Sequence, residues 1–177
     1  MDPSPTVAHR HLAILGSSRS AGDTNQALRF LARGGDVDIV DVNDLTLTPY
    51  DYDHRYSDED DFPALCQRMV AAETLLFATP VYWYTMSTQL KMVFDRLSDL
   101  LTIAKPMGRA LAGKRASFLA VGTQPTLAQG FEDPFWQTCD YFKMRYEPGL
   151  YLQTAEPFTL SDEDRQRLTA FAARLWS

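Results

Sequence analysis

The chain has 177 residues, the length of one domain, and its 45% hydrophobic content is enough for a core. A net charge of −6 argues against an electrostatic nucleic-acid binder and against a polybasic membrane anchor. Cys66 and Cys139 share no C-x-x-C spacing, so a zinc site or disulfide staple gives way to buried thiols in a reducing compartment.

Residues 1–10 carry Pro3 and Pro5 and no apolar run, which reads as a flexible arm ahead of one domain over 11–177. They show neither signal-peptide nor lipidation features, and no window reaches the ~18 apolar residues of a membrane span. A cytoplasmic protein is expected. Leu12–Leu15 is an apolar run ending at Gly16, a buried strand. Ala27, Leu28, Leu31 and Ala32 then fall on one helical face, closed by Gly34-Gly35. Val37, Ile39, Val40 and Val42 give a second strand. The segment 43–61 reads as an acidic loop with three tyrosines and a solvated His54. Asp61 and Pro63 suit the start of the next helix, whose apolar face is Leu65, Met69 and Val70.

Thr74–Ala78 is a third strand stopped by Pro80, and Ser87-Thr88 opens a helix with Leu90, Phe94, Leu97 and Leu101 in helical spacing. Lys105, Arg109, Lys114 and Arg115 read as a basic surface loop. Ala116–Val121 is a fourth strand ending at Gly122, and Leu150–Leu152 a fifth. Phe135, Trp136, Tyr141 and Phe142 suit either core packing or a pocket cover. Ser161 opens a last helix with Leu168, Phe171, Ala172 and Leu175 on one side. Strands alternating with helices predict a parallel sheet covered on both faces.

In such a sheet, ligands bind outside the carboxyl ends of the strands. The loop after the first strand, 16–25, is rich in small and hydroxyl residues. Its amides can converge on an anion, Ser17, Ser20 and Thr24 can donate, and Arg19 adds a positive charge ahead of a helix N-terminus. No Lys follows Gly22, so it is not the loop of a P-loop NTPase, and G-x-G-x-x-G is absent. After the third strand comes Thr79-Pro-Val-Tyr-Trp-Tyr-Thr-Met-Ser87. Three consecutive aromatics cannot all face one interior, because neighbouring side chains in an extended segment point opposite ways. They can flank a flat ring. A phosphate cradle and an aromatic wall together describe a mononucleotide with a planar base, and FMN fits both.

These two segments resemble the NADPH-dependent FMN reductase and quinone reductase branch of the flavodoxin-like proteins. Residues 16–24 are similar to that family's phosphate loop G-S-x-R-x-x-G-N-T, and residues 79–96 to its ring-binding loop and following helix. The resemblance implies a flavodoxin-like α/β three-layer sandwich with a five-stranded parallel sheet of order 2-1-3-4-5. It further implies bound FMN, NADPH or NADH as donor, and a small acceptor such as a quinone or flavin. Hydride would pass through flavin N5 in a ping-pong scheme, in a homodimer or homotetramer. Carried across by position, Ser17, Arg19, Ser20, Thr24 and Asn25 would hold the phosphate. Pro80, Val81, Tyr82, Trp83, Tyr84 and Met86 would hold the ring, with Gly122 and Thr123 as weaker contacts. No catalytic side chain and no metal site are implied. Asp23 departs from the family's usual Asn, and Gly122-Thr-Gln-Pro125 from a usual second glycine. A flavodoxin-type electron carrier and an FMN-free binding module on the same fold are the alternatives.

Overall fold

The computed structural model describes residues 10–177, so all of the expected arm except Arg10 lies outside the described residues. Arg10 Nε donates to Glu73 Oε2 at 2.7 Å. The elements run β1 (His11–Leu15), α1 (Asp23–Leu31), β2 (Val37–Asp41), α2 (Phe62–Ala71), β3 (Thr74–Pro80), α3 (Thr88–Arg96) and α4 (Lys105–Ala110). They continue β4 (Arg115–Gly122), α5 (Asp133–Tyr141), β5 (Arg145–Tyr146), β6 (Leu150–Gln153) and α6 (Asp162–Leu175).

Every strand pair is parallel, in the order β2-β1-β3-β4, with β5 and β6 following one another along the far edge of β4. This is the expected 2-1-3-4-5 order with its fifth position split. From Ala116↔Tyr146 to Leu119↔Leu150, β4 advances three residues and its neighbour four, so one residue is extra. The break sits at Gly149, where a Cβ would lie 2.4 Å from the Phe118 ring.

Period-two alternation along the strands feeds two cores. Leu12, Ile14, Leu75, Phe77 and Phe118 pack with Leu65 and Met69 of α2, Leu90 and Val93 of α3, and Phe135 of α5. Ala13, Leu15, Leu76, Leu119 and Leu152 pack with Leu28 of α1 and Leu168 and Phe171 of α6. Cys66 and Cys139 are free and buried, and burial pushes both thiols up to about 12. Ser161 closes a capping box with Asp164 at the start of α6.

Helices α4 and α5 were not legible in the pattern. Each is short and starts beside a proline, Pro106 or Pro134, that suits a first helical turn. The basic segment is therefore not a loop. Lys105 and Arg109 ride on α4, Arg115 opens β4, and Lys114 Nζ donates to the carbonyls of Val70 (2.7 Å) and Ala72 (2.5 Å) at the end of α2. The four aromatics split: Phe135 and Phe142 are buried, Trp136 and Tyr141 exposed. Asp61 precedes α2 but makes no side-chain cap; its carboxylate accepts from the Thr46 amide at 2.8 Å instead.

The acidic loop is also less solvated than its composition suggests. Arg96, the last residue of α3, is 1% exposed. Its guanidinium forks onto Asp60 (2.9 and 2.7 Å), donates to Asp99 (2.8 Å) and to the Thr48 carbonyl (2.6 Å), and stacks on Tyr56 and Phe62. Asp99 also accepts from the Tyr56 hydroxyl at 2.7 Å and meets His54 Nδ1 at 3.2 Å. His54 is thus a network member rather than a solvated loop histidine. Burial alone would raise the Asp60 carboxyl, but the Arg96 hydrogen bonds, the Thr48 amide and the Arg96 charge outweigh it and hold it below its ordinary value.

Removing one partner of a buried ion pair strands the other charge, which costs about 3–5 kcal/mol. Arg96→Ala, read by urea unfolding at pH 7, is expected to lose stability of that order, because it leaves Asp60 and Asp99 unpaired. Because the folded Asp60 value is depressed, its contribution is fully present above the unfolded carboxylate range of about pH 4 and is lost as pH falls through the lower folded value. A variant as stable as wild type at pH 7 would show that the network holds nothing together.

Candidate functional site: a crevice at the carboxyl ends of the strands

Two loops that end neighbouring strands are locked together at one node. Ser87, fully buried, donates from Oγ to the Gly16 carbonyl (2.7 Å) and accepts from the Leu90 amide (3.2 Å), capping α3. The Ser87 amide in turn donates to Thr79 Oγ1 at 3.0 Å. The end of β1 therefore presses on the first turn of α3. A Cβ on Gly16 would fall 2.5 Å from Leu90 Cβ and 2.8 Å from the Leu90 amide nitrogen, so only glycine allows that approach.

The loop leaving this node forms a cradle of donors. The amides of Asp23, Thr24 and Asn25 open α1 with no acceptor among the described residues, and Thr24 and Asn25 are buried. Arg19 forms no ion pair among the described residues. A Cβ on Gly22 would lie 3.1 Å from the Arg19 carbonyl oxygen and 3.3 Å from the Arg19 Cβ, so the bare glycine lets the loop close tightly on Arg19. Unused amides and an unpaired cation at a helix N-terminus fit a phosphate.

The aromatic segment is a tight turn. Tyr82 and Thr85 exchange both backbone hydrogen bonds (2.9 and 3.1 Å) around Trp83 (φ 46°) and Tyr84 (φ 67°). Two positive φ values make a type I′ turn, normally built from Gly, Asn or Asp. Bulky residues there cost on the order of 1–3 kcal/mol each, and such strain collects at functional sites. Trp83 is 91% exposed and Tyr84 67%. The Tyr82 hydroxyl meets Ser18 Oγ at 2.8 Å, bridging the turn to the cradle.

Two open recesses of about 190 and 170 Å³ adjoin here and share Val81, Gly122 and Thr123. Ser17, Arg19, Thr24, Pro80 and Tyr82 line the first, and Trp83 and Tyr84 the second. Ser20, Asn25 and Met86 line neither. Asn25 Nδ2 donates to the Ser20 carbonyl, knitting the cradle from behind, and Met86 is buried in the core.

Composition gave no sign of Asn43, whose Nδ2 donates to the Ser17 carbonyl (2.6 Å) and Ser20 Oγ (3.2 Å), propping the cradle from the end of β2. Asp23, Thr154 and Glu156 also line the first recess. The last two follow β6, where the strand-end rule already pointed. In the second recess the Tyr151 hydroxyl donates to the Gln124 carbonyl at 2.5 Å, and burial raises the phenol, keeping it neutral.

The sequence pattern of the NADPH-dependent FMN reductases matches residues 10–152. The chain belongs to that family. It is 29% identical over 117 residues, 62% of this chain, to YwqN of Bacillus subtilis (strain 168), whose name describes an NAD(P)H-dependent FMN-containing oxidoreductase; the match spans 64% of that relative's length. Among solved structures it is similar to the Trp repressor binding protein from Bacillus subtilis, at 26% identity and a TM-score of 0.71, covering 93% of this chain and 99% of that one. A flavodoxin, WrbA-like protein from Agrobacterium tumefaciens superposes with a TM-score of 0.64 at 15% identity over 94% of each chain, a likeness that shows the flavodoxin-like fold.

Overpacking a close contact costs typically about 1–3 kcal/mol. Gly16→Ala is therefore expected to lose that much stability in urea and to push the cradle out of register with α3. A Gly16→Ala protein with an unchanged unfolding midpoint would contradict the close approach.

Proposed function

We propose that this chain binds FMN in the joined recesses and uses it to pass electrons from NADPH or NADH to a small planar acceptor such as a quinone or a flavin. One observation carries the reading: the donor cradle and the aromatic turn open onto adjoining recesses with a common wall at Val81, Gly122 and Thr123. Family membership supports it from a separate direction.

In this reading Ser17, Arg19 and Thr24 hold the phosphate, with Ser20 and Asn25 bracing the loop behind them. Pro80, Val81, Tyr82, Trp83, Tyr84, Gly122 and Thr123 hold the ring, with Met86 seated beneath the turn. Bound FMN would supply two-electron redox chemistry between the nicotinamide and the acceptor, in a ping-pong scheme. The chain's own residues bind, orient and shield. The Trp83 and Tyr84 N–H groups, which find no acceptor among the described residues, would supply fixed dipoles that favour negative charge on a ring edge. The neutral Tyr151 adds no charge there. Exposed Tyr82, Trp83 and Tyr84 form an apolar rim, which supports the expected homodimer or homotetramer as well as a planar ligand. The buried free thiols support a reducing compartment, and no helix among the described residues is long and apolar enough to cross a membrane.

The test is a visible spectrum of protein saturated with FMN and freed of excess, followed by NADPH or NADH under nitrogen and then a quinone. The flavin band is expected to bleach with at least one nicotinamide and to return with the quinone. Retained flavin that resists both nicotinamides would favour the carrier reading, and no retained flavin the binding module. Arg19→Ala should raise the Kd for FMN about tenfold or more, since a hydrogen bond to a charged group contributes roughly 1.5–3 kcal/mol, and should leave riboflavin unchanged. Equal losses for both flavins would remove Arg19 from the phosphate.

A further inference from the structure

We propose that Asp23 sets how strongly the crevice prefers a phosphorylated flavin over an unphosphorylated one, by holding a carboxylate beside the phosphate cradle. The inference rests on the flavin reading above and adds a specificity residue to it.

Asp23 is the first residue of α1 and lines the same recess as Arg19 and Thr24. Its carboxylate does not cap the helix: Gly22 is the N-cap, and no side-chain cap bond forms there. Oδ2 instead accepts from Thr154 Oγ1 at 2.5 Å. Thr154 is itself fixed, because its amide donates to the Gly122 carbonyl at 2.7 Å. The carboxylate is thus tied to the recess wall by an uncharged partner that leaves its charge in place. Glu156, two residues beyond Thr154, lines the same recess.

Neither carboxylate forms an ion pair among the described residues, and neither does Arg19. The wall therefore carries one cation against two anions. The helix N-terminus adds only about half a positive charge. A phosphate bearing up to two negative charges meets amides and Arg19 that attract it and a carboxylate that repels it. Riboflavin, which has the same ring and chain but no phosphate, does not feel that repulsion. The geometry points to a crevice whose ring contacts are kept while its hold on the phosphate is weakened.

Asp23→Asn isolates the charge. Asn has the same shape, can still accept from Thr154 Oγ1, and offers N–H groups where the carboxylate stood. Kd values for FMN and riboflavin are read from flavin fluorescence on titration with wild type and with Asp23→Asn, at low salt and at 0.5 M NaCl. The variant is expected to bind FMN about tenfold tighter at low salt, with riboflavin unchanged and the gain smaller at high salt. Circular dichroism and the urea midpoint confirm that the variant folds. An unchanged ratio of the FMN and riboflavin Kd values, or weaker FMN binding by a folded Asp23→Asn, overturns the proposal and leaves the flavin reading standing. Failure of wild type to bind either flavin overturns both.

Discussion

The contact between the end of β1 and the first turn of α3 is the constraint on which the site depends. Parallel strands one position apart bring their loops to the same end of the sheet, but nothing in that rule fixes the distance between the loops. The bare Cα of Gly16 against Leu90 fixes it, and the Ser87 hydroxyl pins the Gly16 carbonyl in place. Thr79 then ties the same serine to the end of β3. Cradle and aromatic turn both join this node and meet again where Ser18 touches Tyr82.

Local satisfaction differs sharply between the crevice and its foundations. Beneath and beside the site, charges are paired: Arg96 meets two carboxylates and a carbonyl, and Lys114 meets two carbonyls. At the crevice the first amides of α1 lack acceptors, Arg19 lacks a counter-ion, and two aromatic residues sit in positive-φ turn positions with their rings exposed. The positive-φ turn costs stability in the free chain, and in the reading proposed above a ligand with a phosphate and a flat ring would use the turn, the free amides and Arg19 together. Free helix-start donors and a strained turn gathered at the carboxyl end of the sheet mark it as a candidate binding site.

Much of this was legible in the sequence because the governing signals are local. The strand runs, the Ser87 and Ser161 caps and the strand-end loops each follow from a few adjacent residues, and the alternation of elements carries the parallel sheet. What escaped depends on partners far away in the chain. Asn43 is an ordinary loop asparagine until the fold places it under Ser17, and His54 and Asp60 look solvated until Arg96 arrives from α3. Helix α4 has six residues, too few for periodicity to show, and α5 buries only Phe135 and Cys139, too thin an apolar face to read from the pattern. Composition alone made 43–61 an acidic loop, whereas position makes Asp60 a buried anchor and Asp61 a brace for Thr46.

The most direct measurement is a crystal structure of the chain grown with FMN. The account predicts phosphate density within hydrogen-bonding distance of the Thr24 and Asn25 amides and of Arg19, with the ring lodged between the Val81–Tyr84 turn and Gly122-Thr123. A ring seated on another surface, or both recesses empty at saturating FMN, would contradict it.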